Sequence, residues 1–289
     1  FFLLGLIVER VTGTPYADAL QQHVLAPAGM THSGVYGVSM VVPHLANGYA
    51  KSNFGAMERP MIIDPTVSYA AAGVYSTAND LLAFSKALTS DRLLPAALKA
   101  RMFTDKGNQY GLGWGYTEKR LGQPLLVHAG LVENYTSKMF ILPEKGIGVV
   151  VLVNMNDYLV TNNVLDTIVD PLLGAPGKDL PNLYVPLHLA IDALYLLLTI
   201  ISIYSFITIG KWKGKEKGIK TNILDFLRHV LLPVGLLCLP LLVGSPPRII
   251  WLFTKDVFVV LYFNASILLI IGVYKLFLIW KNRQNQSQD

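Results

Sequence analysis

Residues 125–154 read LLVHAGLVENYTSKMFILPEKGIGVVVLVN and contain three short runs rich in β-branched and aromatic residues. The runs cover residues 125–128, 136–142 and 147–153, and glycine-containing turns separate them. Short runs of this composition joined by tight turns are typical of neighbouring antiparallel strands. The stretch therefore predicts an antiparallel meander at the centre of the domain.

The residues before this stretch have helical patterns. Apolar residues recur at helical spacing from 3 to 22, with an interruption at Thr12-Gly13-Thr14-Pro15 that predicts a helix end and a new start. Ser76-Thr-Ala-Asn-Asp80 supplies capping residues for an amphipathic helix that ends near Leu88. Further helices are predicted over 94–102 and 158–173. The first region is therefore of the mixed α/β class, an antiparallel sheet with flanking helices.

The last third of the chain has the composition of membrane helices. The whole chain is 52% hydrophobic and 15% charged, with a mean hydropathy of +0.43. Apolar runs near 187–209, 223–243 and 257–280 are each long enough to span a bilayer core of about 30 Å. Pro233 and Pro240 leave a kinked or re-entrant alternative open for the second run. Lys275 is predicted to extend from the third run to the nearby membrane surface.

The distribution of basic residues predicts the orientation of these spans. Residues 181–289 hold 11 of the 24 Lys and Arg but only 5 of the 19 Asp and Glu, so the net positive charge comes from this part of the chain. Positive charge beside apolar runs is typical of membrane topology and makes a nucleic-acid partner improbable, so the expected partner is the lipid bilayer. The positive-inside rule places residues 211–222 and the C-terminus in the cytoplasm and residues 1–186 outside it. The basic residues concerned are Lys211, Lys213, Lys215, Lys217, Lys220, Lys281 and Arg283.

The first residues predict that the sequence is a fragment. Phe1 is not a methionine, and the apolar stretch that it opens meets Glu9-Arg10, the reverse of the charge order in a signal peptide. A single cysteine, Cys238, excludes a disulfide framework within the chain and fits a bacterial protein.

Five groups of residues resemble, in the same order, motifs of the class C β-lactamase and D-alanyl-D-alanine peptidase-like family of penicillin-recognising serine hydrolases. The resemblance covers about residues 1–175, and no single motif would suffice without the others. The stretches that carry it are Phe2-Leu-Leu-Gly-Leu-Ile-Val-Glu9 with Val11-Thr-Gly13 and Leu25-Ala-Pro-Ala-Gly-Met30; Ala72-Gly-Val-Tyr-Ser-Thr77 with Asp80-Leu81; Tyr110-Gly-Leu-Gly-Trp114; His128-Ala-Gly130; and the run from Phe140 to Asn154.

The resemblance implies acyl transfer by a serine in a Ser-x-x-Lys motif, assisted by Tyr-x-Asn. It identifies His128 as the first residue of the third motif and Ala129 and Gly130 as substrate-binding residues. It also implies that the backbone N–H of Leu131 donates to the oxyanion of the tetrahedral intermediate. Glu133 and Asn134 either line the cleft or form a solvated turn.

The nucleophile motif is absent from these 289 residues, because no serine is followed by lysine three positions later. Tyr262-Phe-Asn264 matches Tyr-x-Asn but falls in the third apolar run, so we interpret it as a chance match. We therefore expect residues 1–178 to form an incomplete hydrolase domain, 179–186 a linker and 187–289 the membrane region. The chain by itself is expected to be inert.

Two functions remain open at this point. One is a membrane-anchored hydrolase that acts on a peptidoglycan-like peptide, a β-lactam or an ester. The other is a non-catalytic pseudoenzyme that binds or senses such a ligand. A transporter role is disfavoured because the spans are short and paired charges within them are not expected. The six histidines lack metal-ligand spacing, and neither a metal nor a cofactor is expected.

Overall fold

The computed structural model describes residues 1–37, 40–60, 65–104, 109–156, 163–178, 184–209, 219–242, 244–245 and 247–286. The chain forms two compact units. The first comprises residues 1–50 and 59–182, and the second comprises residues 51–58 and 183–289.

A four-stranded antiparallel sheet is the core of the first unit, with strand order β5-β6-β7-β8. These strands are Gly115–Arg120 (β5), Gln123–Leu131 (β6), Thr136–Leu142 (β7) and Ile147–Val153 (β8). Side chains alternate between the two faces of the sheet. On one face Leu125 packs with Phe140 and Val149, and on the other Leu126 packs with Met139 and Trp114. Both faces are therefore buried against other parts of the unit.

Helices precede the sheet in the sequence. They are Phe2–Thr12 (α1), Tyr16–Leu20 (α2), Ala26–Ala28 (α3), Pro65–Ala72 (α4), Ala78–Thr89 (α5) and Ala96–Phe103 (α6), and a π-helical turn, Gln21–Leu25, joins α2 to α3. The Thr77 hydroxyl caps α5 by accepting the Asp80 N–H at 3.2 Å. Short strands pair Gly34–Val35 (β1) with Val74–Tyr75 (β4) and Ala50–Lys51 (β2) with Met57–Glu58 (β3).

The carboxylate of Asp80 joins the start of α5 to the turn before β1. It is buried, and it accepts the His32 N–H and the Ser33 hydroxyl, each at 2.7 Å. Ser33 also lies 2.7 Å from the Ser76 hydroxyl. The polar residues of the Ser-Thr-x-x-Asp element are therefore structural: they cap a helix and attach a turn to it.

An ion pair attaches the C-terminal part of the first unit to the sheet. Arg120, at the end of β5, donates from Nε and Nη2 to the two carboxylate oxygens of Asp170 at 2.7 and 2.6 Å. Asp170 is buried and begins the short helix Asp170–Leu172 (α7), which follows the π-helical segment Leu165–Val169. The hydrogen bonds from Arg120 hold the pKa of the Asp170 carboxyl below its usual value.

Replacing Asp170 with Asn should lower the free energy of unfolding of the first unit by about 2 kcal/mol, because charged hydrogen bonds are lost. The depressed pKa makes this contribution complete above about pH 4, and the contribution is lost as the pH falls through the folded-state pKa. Urea unfolding of the detergent-solubilised chain, followed by hydrogen exchange of β5 amides, measures the difference. The exposed Glu144→Gln is the matched control and should behave as wild type. A D170N defect that is equally large at about pH 2 would show that the ion pair is not its cause.

In the second unit, three helices are long and apolar enough to cross a membrane. We call them span 1 (Val185–Thr208), span 2 (Ile223–Leu242) and span 3 (Lys255–Lys281). Span 1 lies in Tyr184–Thr208 (α8). Span 2 comprises part of Ile219–Phe226 (α9), the π-helical segment Leu227–Leu231 and Leu232–Leu242 (α10), and a short helix, Pro247–Phe253 (α11), follows it. Span 3 comprises Lys255–Phe258 (α12), the π-helical segment Val259–Asn264 and most of Ala265–Gln286 (α13). Leu198, Val260 and Leu268 form the common core of the spans.

Span 2 is one helix in spite of its prolines. Pro233 cannot donate to the carbonyl of His229, four residues earlier, and the π-helical turn Leu227–Leu231 lies immediately before it. Span 3 passes close to that carbonyl at Gly272, where any Cβ would clash with the His229 oxygen. The wide turn and the glycine thus accommodate Pro233 within a continuous helix. That this helix crosses the membrane remains a prediction.

The spans contain a buried polar cluster that the sequence did not predict. Lys275 donates to Asp225 Oδ1 at 3.2 Å across spans 3 and 2, and only 6% of the Lys275 surface is exposed. His229 Nδ1 donates to the Asp225 carbonyl at 2.9 Å, and its Nε2 lies 2.8 Å from the Ser205 hydroxyl of span 1. The sequence analysis did not identify Asp225 as a partner of Lys275, and the prediction that Lys275 reaches the membrane surface remains a prediction. A pair of charges within the spans does exist.

Replacing Lys275 with Met should destabilise the helical bundle by about 3 kcal/mol, because Asp225 loses a charged partner in a low-dielectric site. The double variant D225N/K275M should lose less than the sum of the two single variants. Thermal unfolding in one detergent, read by helical circular dichroism, measures all four proteins. Additive losses would show that the two side chains do not stabilise each other.

The described structure confirms the mixed α/β class, the antiparallel sheet and three helices of membrane-spanning length. Strand β5 was missed, because Gly115–Arg120 carries four polar residues and little of the apolar pattern of its neighbours. Residues 158–162 of the predicted last helix, most of the linker and the lysines at 211–217 lie outside the described residues. The predicted domain boundaries and the sidedness of the membrane remain predictions.

Candidate active site

The end of strand β6 forms an open edge of the sheet. β5 begins at Gly115, which lies opposite Val127, so the last four residues of β6 extend past the start of β5. On their other side, the same residues pair with β7 in continuous register, from His128 opposite Met139 to Leu131 opposite Thr136. The three residues of the His-Ala-Gly motif therefore pair with β7 on one side. On the other side they pair with no strand that the structure describes.

Hydrogen-bond alternation in the ladder determines the direction of each backbone N–H of this edge. The Val132 N–H donates to the Tyr135 carbonyl at 3.0 Å and closes the turn between β6 and β7. In an antiparallel pair, hydrogen-bonded and non-hydrogen-bonded positions alternate. Leu131 and Ala129 are therefore non-hydrogen-bonded positions toward β7, and their N–H groups point to the open edge.

The His128 imidazole is fixed by one ring nitrogen. His128 Nδ1 lies 2.6 Å from the Gly113 carbonyl, and the ring packs edge-on against Trp114 with centroids 6.0 Å apart. A carbonyl can only accept, so Nδ1 donates and carries a proton. The remaining nitrogen, Nε2, belongs to an exposed side chain and accepts a proton in the neutral ring.

The Tyr-Gly-Leu-Gly-Trp motif builds the support for His128. Gly111 donates its N–H to the Trp114 carbonyl at 2.7 Å, and Gly113 has a φ of +85°, a conformation that favours glycine. This tight turn presents the Gly113 carbonyl to His128. Trp114 is buried and also packs edge-on with Phe103, so its role is packing.

Gly130 leaves room for a hydroxyl beside His128. Gly130 lies opposite Ser137 of β7, and a Cβ at Gly130 would stand 2.6 Å from the Ser137 Oγ. Because register partners share a face and alternate residues of a strand lie on one face, Ser137 belongs to the same face as His128. Sequence reasoning did not identify Ser137 as a candidate, since a lone serine in a strand carries no motif.

The turn after β6 is buried rather than solvated. Glu133 and Asn134 are 2% and 4% exposed, which excludes the solvated-turn interpretation. The Tyr49 N–H donates to the carbonyls of Asn134 and Asn154, at 3.2 and 3.0 Å. The Tyr135 hydroxyl donates to the Ala46 carbonyl, and burial raises its pKa. Residues 46–49 thus cover the turn, and neither Glu133 nor Asn134 is placed by these contacts on the open edge.

Asn134 has one atom that these contacts do not satisfy. Its Oδ1 is buried and has no hydrogen-bond partner among the described residues. An unpaired buried acceptor costs free energy, roughly 1–3 kcal/mol.

The face opposite His128 carries a lysine. Lys138 of β7 pairs in register with Ala129 of β6. Its ammonium group lies 5.6 Å from the centre of the Phe140 ring, and burial lowers the pKa of Lys138. Lys138 shares the face of Phe140 and not that of His128, so the two groups do not form an acid–base pair across the strand. The described residues contain no group of three or more His, Cys, Asp or Glu arranged to hold a metal ion.

The structure brings together the four residues taken from the third motif, because they are consecutive on β6. Tyr262-Phe-Asn264 lies elsewhere, in the π-helical segment of span 3, where the Thr199 hydroxyl donates to Asn264 Oδ1 at 3.2 Å. Its position inside a candidate membrane span agrees with a chance match. The Gly113 carbonyl and Ser137, by contrast, flank the motif without having been predicted.

Comparison with known proteins identifies the domain. The family model described as Beta-lactamase matches residues 1–170. The chain is 33% identical over 115 residues to the putative penicillin-binding protein PbpX of Bacillus subtilis, an alignment covering 39% of this chain and 29% of that protein. It is 25% identical over 176 residues to the mitochondrial serine beta-lactamase-like protein LACTB of Mus musculus, covering 50% and 32% respectively.

A solved structure shares the fold. The octameric penicillin-binding protein homologue from Pyrococcus abyssi has a TM-score of 0.54 and 28% identity, and the match covers 63% of this chain and 43% of that one. The chain spans about three-tenths of the length of these two relatives, 29% of PbpX and 32% of LACTB. Since the family model covers more than half of the chain, this protein belongs to the β-lactamase family of serine hydrolases and penicillin-binding proteins.

Proposed function

We propose that the first unit forms one wall of an extracytoplasmic acyl-transfer site, anchored by the three spans. The substrate class is a peptidoglycan-like peptide, a β-lactam or a related ester or amide. The observation that carries the proposal is the open edge of β6, which presents an N–H free of the ladder at Leu131 next to a supported imidazole at His128. Acyl transfer from such a compound needs both a hydrogen-bond donor for the oxyanion and a polar group near the leaving group.

The chemistry is nucleophilic acyl transfer. A serine oxygen attacks the carbonyl carbon, its proton passes to a neighbouring base, and negative charge develops on the former carbonyl oxygen. The Leu131 N–H then donates to that oxyanion. Collapse of the intermediate breaks the bond to the leaving nitrogen or oxygen, which takes up a proton, and water later releases the acyl group from the serine.

Ala129 and Gly130 supply the rest of the wall. The Ala129 N–H and carbonyl also point to the open edge, so an extended ligand can pair with the backbone at Ala129 as an added strand. Gly130 adds no side chain between Ser137 and the ligand. His128 Nε2 is the group of this wall that can exchange a proton or bind a carboxylate of the ligand.

The nucleophile does not belong to these 289 residues. No Ser-x-x-Lys occurs in them, and the chain spans only 29% and 32% of the lengths of PbpX and LACTB. We propose that a segment outside this sequence supplies the serine and its lysine, and that the 289 residues alone do not turn over substrate. The same absence supports the second candidate, a pseudoenzyme that binds the ligand without reaction.

Labelling with a fluorescent penicillin separates these two candidates. The 289-residue chain should remain unlabelled, and the product of the gene extended upstream of the codon for Phe1 should be labelled on a serine followed by Lys three positions later. Gel fluorescence and peptide mass mapping are the measurements. An extended protein that binds benzylpenicillin reversibly but never forms the adduct would overturn the hydrolase in favour of the pseudoenzyme.

Replacing Leu131 with Pro removes the proposed oxyanion donor but no ladder bond, because the Leu131 N–H points away from β7. In the extended protein, the acylation rate constant should fall by about 10²–10³. Leu131→Ala keeps the N–H and is the matched control, with a rate near that of wild type. Equal losses in L131P and L131A would show that the side chain, not the N–H, acts in the site. Hydrogen exchange of β7 checks that both variants are folded.

A further inference from the structure

Residues Lys51–Glu58 belong to the second unit although the chain on both sides of them belongs to the first. We call this segment the strap. It is a hairpin in which β2 pairs with β3, and the Ser52 N–H donates to the Ala56 carbonyl at 2.8 Å across the tip. The chain therefore leaves the hydrolase domain at Ala50, reaches the helices of the second unit and returns at Arg59.

Two spans hold the strap by charged contacts. Asp192, the one acid in span 1, accepts the Phe54 N–H at 2.9 Å and lies 3.5 Å from the Asn53 amide nitrogen. Lys255, at the start of span 3, forms an ion pair with Glu58 and lies 4.9 Å from the Trp251 ring centre. The hydrogen bond from Lys255 lowers the pKa of Glu58. An acid inside a membrane helix marks a functional position, and here its described partners are in the strap.

The tip of the strap is a tight hairpin turn whose two central residues, Phe54 and Gly55, both have a positive φ, as such turns require. Phe54 has a φ of +58° and a ψ of +32°, which bulky residues rarely adopt. This conformation directs the Phe54 N–H to Asp192, and the Phe54 ring packs edge-on against Tyr195, one turn along span 1, at 5.6 Å.

One residue before the strap, the chain is attached to the candidate active site. Tyr49 donates to the carbonyls of Asn134 and Asn154 and accepts the Asn156 N–H at 3.0 Å, so it joins the β6–β7 turn to the end of β8. Only Ala50 separates Tyr49 from Lys51. The Asn134 Oδ1, buried without a described partner, lies at this same attachment.

We propose that the strap couples the two units: displacement of the strap from spans 1 and 3 loosens the β6–β7 turn, and ligand binding at β6 changes how firmly the strap is docked. Such coupling is reciprocal by thermodynamic linkage. The connection between the strap and the turn runs through Tyr49, whose backbone hydrogen bonds to Asn134 and Asn154 lie one residue before Ala50 and the strap. The effect on ligand binding rests on the proposed function, whereas the link between strap and turn does not.

Charge reversal of the ion pair tests the link. Hydrogen exchange is measured on the full-length protein in lipid nanodiscs for wild type, K255E, E58K and the double reversal E58K/K255E. The single reversals should speed amide exchange in residues 132–136 by about fivefold or more, the low end of allosteric coupling, and the double reversal should restore it. Lys145→Glu, the same charge change at an exposed turn of the first unit, is the matched control and should leave residues 132–136 unchanged.

The outcomes separate the inference from the proposed function. If exchange becomes faster only in residues 51–58, the strap docks on the spans without affecting the β6–β7 turn. If exchange is unchanged throughout, the ion pair does not hold the strap on the spans. Either result overturns the coupling. Benzylpenicillin, as probe, should be bound or acylated at altered rates in the single reversals. If no variant reacts with or binds penicillin while residues 132–136 still respond, the proposed function fails and the link stands.

Discussion

The backbone ladder between β6 and β7 is the constraint on which the candidate site depends. Its register places His128, Ala129, Gly130 and Leu131 consecutively along one edge, and its alternation directs every second N–H away from the sheet. A donor that must meet an oxyanion without rearrangement is best placed on such a rigid element. The turn Gly111–Trp114 and the buried residues 133–134 serve the same end, because they fix the histidine ring and close the hairpin.

The helices of the second unit are held together by contacts of another kind. Apolar packing between helices supplies little driving force in lipid, so polar contacts and close backbone approach carry more of the association. The pair of Asp225 and Lys275, the hydrogen bond between His229 and Ser205 and the approach of Gly272 to span 2 are contacts of these kinds. At the start of spans 1 and 3, Glu58 and the Phe54 N–H of the strap form separate polar contacts with Lys255 and Asp192.

Much of this fold could be predicted from the sequence because local patterns determine it: alternating apolar runs for β6 to β8, the Thr77 cap for α5 and three apolar runs for the spans. Long-range pairs could not be predicted in this way. Lys275 looked like a residue that reaches the surface, and only the packing of span 2 against span 3 reveals Asp225 as its partner. Strand β5 has a polar sequence and forms because β6 offers it an edge. In the site, the motif identified His128. The Gly113 carbonyl that fixes its ring depends on the conformation of a turn, and Ser137 is placed beside it by strand register. Neither can be inferred from the spacing of residues in the sequence.

Residue-resolved hydrogen exchange of β6 shows directly whether the Leu131 N–H, the proposed oxyanion donor, is free of the hydrogen bonds between β6 and β7. In the full-length protein in nanodiscs, electron-transfer fragmentation can separate the amides of His128, Ala129, Gly130 and Leu131. We expect slow exchange at His128 and Gly130, which bond to β7, and fast exchange at Ala129 and Leu131, with Leu131 becoming slow on addition of benzylpenicillin. Slow exchange at Leu131 in the unliganded protein would show that its N–H is already bonded, and it could not then serve an oxyanion.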